Sequence, residues 1–217
     1  MSDLTSRVDA SQAEIVELCQ SLVRINTVNP YSGDRLPGGE KAGQEFLAPL
    51  LAALGGEVTL FDCPDDIYTR AGILGPKKRD FRGRPNLVAR FDFGPGPTII
   101  INGHMDTVGI DNMAADALSG RIDGGCLYAR GTSDCKGGIT VGVSAIRALL
   151  ASGGELRGSI VFESVVDEEC NGGGAGTLAC LDAGYTGDIA IFVDGNAGTL
   201  TMGCGGCLTA DVFVEGQ

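Results

Sequence analysis

Short apolar runs, each followed within a few residues by a histidine or a carboxylate, constrain this chain more than any other feature. Thr98-Ile99-Ile100-Ile101 leads into Asn102-Gly103-His104-Met105-Asp106, the run over 159–166 into Asp167-Glu168-Glu169, and Ile189-Ala190-Ile191-Phe192-Val193 into Asp194. Apolar runs without strict alternation fit strands covered on both faces. Segments of helical period alternate with them, so the expected fold is an α/β sheet sandwiched between helices.

Ser11-Gln12-Ala13-Glu14 has the form of a capping box, and Ile15, Leu18, Cys19 and Leu22 follow at helical spacing. This predicts a helix over 12–24, with Asn29-Pro30 in the loop beyond it. A second helix is expected over 40–54, with Phe46, Leu47, Leu50 and Leu51 on one face and Gly55-Gly56 as its stop. Residues 57–61, 86–91, 98–101, 159–166, 189–193 and 208–214 read as strands, the last as an edge strand, and 141–150, begun near Gly137, and 176–183 as helices. The basic stretch 70–84, with Lys77, Lys78, Arg79 and Arg82, reads as an exposed loop.

With 43% hydrophobic residues, 217 residues are enough for a real core. The net charge of -12 argues against sequence-independent nucleic-acid binding, which needs a positive footprint. No stretch approaches the ~20 apolar residues of a membrane span, and residues 1–12 lack the apolar centre of a signal peptide. The expectation is a soluble cytoplasmic chain whose eight dispersed cysteines are reduced thiols. Cys204-Gly205-Gly206-Cys207 has no second CxxC or histidine pair to accompany it and reads as structural.

In α/β sheets ligands gather beyond the carboxyl ends of strands. His104, Asp106, Glu168, Glu169 and Asp194 lie there, and Asp134 opens the turn Asp134-Cys135-Lys136-Gly137-Gly138 before a helix. Carboxylates crowded together repel or take up protons unless a cation sits among them. An imidazole with carboxylate oxygens suits Zn2+, and with open positions also Co2+ or Mn2+. A bridging carboxylate would let two ions lie ~3.5–4 Å apart. If the residues after His104 stay extended, the Asp106 carboxylate orients the imidazole. A carboxylate that binds no metal is free to take a proton from water and pass it to a leaving amine, and Glu168 and Glu169 can divide these tasks.

A serine hydrolase is disfavoured by the lack of a Gly-x-Ser-x-Gly elbow and by the single histidine. The glycine-rich stretch 171–176 lacks the Gly-Lys-Ser/Thr ending of a phosphate loop and reads as a flexible turn lining the site.

Gly103-His104-Met105-Asp106-Thr107-Val108, Arg130-Gly131-Thr132-Ser133-Asp134-Cys135-Lys136-Gly137-Gly138 and Val166-Asp167-Glu168-Glu169 occur in that order, with Gly83-Arg84-Pro85-Asn86-Leu87-Val88 before them and Phe192-Val193-Asp194 after. The set resembles the dinuclear zinc family of acetylornithine deacetylase, succinyl-diaminopimelate desuccinylase, aminoacylase and glutamate carboxypeptidase. The resemblance implies a three-layer αβα zinc-peptidase-like catalytic domain, incomplete, over 1–205, and the start of a lid and dimerisation domain at 206–217. It implies that His104 and Asp194 bind one zinc ion, Glu169 the second, and Asp134 both. Asp106 would orient His104, Glu168 would be the general base, and the Asp134-Cys135 peptide would be cis. The implied substrates are N-acyl amino acids, with short peptides as the alternative, and the full-length form would be a homodimer.

Cys135 stands where a methionine is common and Gly195 where a proline often follows; neither departure removes a ligand. Family members bring further histidines, for the second metal and from the lid, in segments beyond the lid strand at which this chain ends. The expectation is therefore little or no hydrolysis from these residues alone, with a non-catalytic metal-binding relative as the other reading.

Overall fold

The computed structural model describes residues 2–113, 116–170, 173–195 and 212–216. In chain order the elements are helices α1 (Ser2–Ala10), α2 (Gln12–Arg24) and α3 (Lys41–Ala53), strand β1 (Glu57–Asp62), helix α4 (Ile67–Arg70) and strands β2 (Pro85–Asp92) and β3 (Thr98–His104). A small hairpin follows, β4 (Arg121–Asp123) with β5 (Cys126–Tyr128), and then α5 (Lys136–Ala151), β6 (Ser159–Val165), α6 (Ala175–Asp182) and β7 (Ile189–Phe192).

Five strands form one sheet in the order β1-β2-β6-β3-β7. β6, β3 and β7 run parallel, while β2 and β1 extend the sheet antiparallel beside β6. His104 lies opposite Val165, and Asn102 opposite both Glu163 and Phe192, so the carboxyl ends of the three parallel strands share one rim. The crossover from β3 to β6 moves one way along the sheet and that from β6 to β7 moves back. Right-handed crossovers then place α5 and α6 on opposite faces.

Helices α2, α3 and α5 cover one face around Leu22, Leu47, Leu51, Ile101, Ile139, Val143 and Phe162. Across the sheet, α4 and α6 close two smaller clusters, one around Ile67, Phe81, Val166 and Ala179 and one around Val88, Ile100, Val161 and Cys180. The result is the three-layer αβα arrangement, and β6 is buried along its whole length.

Some local readings need correction. The capping box does not form: α1 runs up to Ser11, whose hydroxyl donates to the Arg7 carbonyl at 2.8 Å, and α2 has no side-chain cap. The helix itself stands, held by Leu18, Leu22 and Val23 against the core. β3 extends to His104, which closes the strand rather than following it. The hairpin escaped the sequence reading because its strands are three residues long; Gly124 and Gly125, with φ of 57° and 82°, supply its tight turn. Within the basic stretch, Lys77, Lys78 and Arg82 are exposed as expected, but Arg84 is buried and Arg79 nearly so, because both face buried carboxylates. Of the strand expected over 208–214, residues 208–211 lie outside the described residues, as do Cys204 and Cys207; Val212, Phe213 and Val214 are exposed and not in a strand.

Candidate functional site

His104 ends β3 with its ring buried. Its Nδ1 lies 2.9 Å from the main-chain oxygen of Asp106, and its Nε2 lies 2.8 Å from Asp134 Oδ1. A ring N–H donated to a carbonyl fixes the proton on Nδ1 and turns Nε2 toward the carboxylates. The orienting acceptor is therefore the Asp106 backbone rather than its carboxylate, which stands 3.6 Å from Nδ1. β3 ends at His104, and the Asp106 side chain turns to other partners. Its carboxylate accepts the amides of Glu168 at 3.2 Å and Glu169 at 3.1 Å, tying the end of β3 to the segment after β6.

Asp134 sits on the turn into α5, and the Asp134-Cys135 peptide is cis, the form the resemblance implies. The glycines after it permit close approach: a Cβ at Gly138 would collide with the Val193 carbonyl, beside Asp194. His104 Nε2 is consequently 3.8 Å from Asp194 Oδ2 and 3.9 Å from Glu168 Oε2. Glu169 accepts the Val108 amide at 3.3 Å, and His104, Asp134 and Glu169 place potential ligand atoms within 4.8 Å of one another. Cys135 forms a second such group with His104 and Asp194. Burial pushes its thiol up to about 11, and it packs against Gly103.

The six residues expected at the site, His104, Asp106, Asp134, Glu168, Glu169 and Asp194, are thus together on one rim. Their charges are out of balance. Burial and the neighbouring carboxylates, Asp134 foremost, push Glu169 up to about 7, and Glu168 and Asp194 are raised by the same two causes. Asp134 alone of these four is lowered, chiefly by its bond to His104. Burial works against charge on the imidazole, but contacts with Asp106 and Asp134 outweigh it and push the ring up to about 12. One imidazolium is left to face a ring of carboxylates. A divalent cation would relieve that excess, and an imidazole nitrogen with carboxylate oxygens is a suitable donor set, so the residues present fit a metal.

Behind the rim lies a buried network that the motifs did not reveal. Asp167, at φ 61°, turns its side chain inward while Glu168 and Glu169 remain at the rim. It meets Arg84 Nη2 at 3.1 Å, Asn29 Nδ2 at 3.2 Å, Tyr68 Oη at 3.4 Å and Arg79 Nε at 3.6 Å. Arg84 also grips Glu40 through two bonds of 2.9 and 2.5 Å. Asn86 accepts the Val166 amide at 3.1 Å. In the glycine-rich segment, Gly176 is where α6 meets the strand end, since a Cβ there would lie 2.5 Å from the Val166 nitrogen. Of the network, Arg84, Asn86 and Asp167 fall inside the recognised motifs. Asn29, Glu40 and Arg79 carried no local signal.

Residues 100–205 match the profile of Peptidase family M20/M25/M40. The chain is 29% identical over 219 residues to N-formyl-4-amino-5-aminomethyl-2-methylpyrimidine deformylase of Halalkalibacterium halodurans, covering 99% of this chain and 46% of that protein. It is 31% identical over 168 residues to succinyl-diaminopimelate desuccinylase of Gluconacetobacter diazotrophicus, covering 76% and 38%. The chain spans less than half the length of these curated relatives. Human carnosine dipeptidase 1 has the same fold, with a TM-score of 0.69 at 21% identity over 89% of this chain and 41% of that one. His104, Asp134, Glu168, Glu169 and Asp194 all fall within the matched stretch, so the chain is similar to Peptidase family M20/M25/M40 over the residues that carry the site.

Proposed function

We propose that this chain carries metal-binding and proton-transfer residues of a hydrolase that cleaves the amide bond of N-acyl amino acids. The observation that carries the reading is the convergence of Asp134, Asp194 and Glu168 within 3.9 Å of His104 Nε2, with Glu169 beside them. In this reading His104 and Asp194 hold one zinc ion, Glu169 a second, and Asp134 contacts both; cobalt or manganese would suit the same donors. Bound metal would polarise the scissile carbonyl and acidify water. Glu168 lies close enough to accept a proton at the rim and return it to the leaving amine, and burial, which raises its pKa, makes it a stronger base than a free carboxylate.

Deacylation is preferred over dipeptide cleavage because both curated relatives named above are, by name, enzymes that remove an acyl group, a formyl in one and a succinyl in the other. The likeness to the dipeptidase extends to fold alone. A cytoplasmic setting is supported by the six described cysteines, all of which are free. No helix among the described residues is long and apolar enough to cross a membrane.

The test is hydrolysis of N-formyl, N-acetyl and N-succinyl amino acids with added zinc or cobalt, using this chain and a version extended at its carboxyl end. Glu168→Ala should reduce the rate by about 10²-fold or more. Activity indifferent to that change would overturn the role of Glu168. A second reading is metal binding without catalysis, which the two groups His104, Asp134, Glu169 and His104, Cys135, Asp194 would support by themselves. Calorimetric titration separates the two, with two zinc ions expected for the competent site and one for the alternative.

A further inference from the structure

We infer that Asn29 is a positioning residue for the proposed proton carrier Glu168, acting as a neutral bridge between two buried carboxylates. This deepens the hydrolase reading and rests on it for the role of Glu168. Asn29, Asp106 and Asp167 are all fully buried. Asn29 Nδ2 donates to Asp106 Oδ2 at 2.7 Å and to Asp167 Oδ1 at 3.2 Å. Its Oδ1 accepts the Tyr31 amide at 2.9 Å, which fixes the amide's orientation: the oxygen is occupied by a backbone donor, so the NH2 group must face the acids.

The backbone around Asn29 is anchored as firmly. Its amide donates to the Thr107 carbonyl at 2.9 Å, the Thr107 amide donates to Thr27 at 3.1 Å, and Val28 pairs with Thr107 in a parallel bridge. Thr27 Oγ1 donates to the Met105 carbonyl at 2.8 Å. Residues 27–29 are thus laid against the segment that follows His104.

Each carboxylate that Asn29 joins bears on the placement of Glu168. Asp106 receives the amides of Glu168 and Glu169, and Asp167 directly precedes Glu168, pinned by Arg84. Two anions buried close together repel unless a donor stands between them. Arg84 serves Asp167 and Glu40, and His104 Nδ1 stands 3.6 Å from the Asp106 carboxylate, which has no arginine or lysine among the described residues within 4.0 Å. Asn29 supplies the shared donor without adding charge. Removing it should let Asp106 move away from Asp167 and loosen the two amides that set the direction of Glu168.

Asn29→Asp replaces the donor with a third acid at nearly constant volume, and Asn29→Ala removes it without charge, which keeps the test open if the first variant does not fold. The readout is native-state hydrogen exchange of the metal-free protein. The amides of Glu168 and Glu169 should exchange about tenfold faster or more, with those of Val161 and Phe162 in the middle of β6 unchanged. Unchanged exchange at Glu168 and Glu169 overturns the inference, and so does equal acceleration along all of β6, the signature of general destabilisation. If the extended chain hydrolyses an N-acyl amino acid, kcat should fall at least tenfold with KM within about twofold, and a loss confined to KM overturns it. Because the exchange readout needs no activity, a failure of the hydrolase reading would leave it standing on its own.

Discussion

β6 and β7 flank the same strand, β3, and run in the same direction, but they are built for different conditions. Every residue of β6 is buried, with helices over both faces. β7 is exposed at every position, and its Ile189, Ile191 and Phe192 remain open. The rim inherits this difference. Glu168 and Glu169 follow the buried strand and are tied through their amides to Asp106, whereas Asp194 follows the exposed one and is held near His104 by the close passage of Gly138 under Val193. The site is thus fixed from one side and only leaned upon from the other.

The sharpest way to probe that asymmetry is through the chain's one histidine, whose ring proton signals are unambiguous in solution. A base whose pKa is raised on folding stabilises the fold fully below its unfolded value and loses that contribution as pH rises through the folded one. In metal-free protein the His104 signal should therefore stay in its charged position from pH 5.5 to 8.5, while the urea-unfolded chain titrates near the ordinary 6.5. Asp134→Asn should bring the folded midpoint down, and Asp194→Asn should move it far less. Equal effects from the two variants would break the comparison.

Next in size is the buried network on the fixed side. Arg84→Met leaves Glu40 and Asp167 buried without their shared cation, and urea unfolding should show a loss of about 3–5 kcal/mol. Packing gives a matched pair of slightly smaller reach. Phe162→Ala in β6 should cost ~3–4 kcal/mol, while Phe192→Ala in β7, 62% exposed, should stay within ~0.5 kcal/mol. Similar losses would mean that β7 is as well supported as β6.

The smallest effect concerns Glu163 of β6, raised by burial although Asn102 donates to it at 2.7 Å. A raised carboxyl favours the fold when protonated, so its cost is absent below the unfolded value of 4.5 and grows as pH rises above it. Glu163→Gln should accordingly stabilise by roughly 0.5–1 kcal/mol at pH 7 and by nothing at pH 4, read from paired urea titrations.

What the sequence disclosed follows the same division between local and distant contacts. His104, Asp134, Glu168, Glu169 and Asp194 were legible because each sits a few residues from an apolar run or a glycine turn, and parallel strands must deliver their ends to one rim. The sheet's main strands were legible for the same reason. Asn29, Glu40 and Arg79 were not, since their partners lie 77, 44 and 88 positions away in sequence (Asn29 to Asp106, Glu40 to Arg84, Arg79 to Asp167) and nothing in their neighbourhoods sets them apart. The capping box failed for a complementary reason. Its pattern was sound, but α1 had already claimed the Ser11 hydroxyl.

Asp167 meets two demands that few residues satisfy together. At φ 61° the backbone tolerates glycine, asparagine or aspartate far better than branched or bulky side chains. The arginines packed against it require an anion. Glycine and asparagine answer the first demand without the second, and glutamate answers the second at a conformational cost. In a library of all substitutions at this position, selected for folding alone, aspartate should be recovered almost alone. The neighbouring Glu168, half-buried at the rim and without a positive φ, should vary far more widely under the same selection.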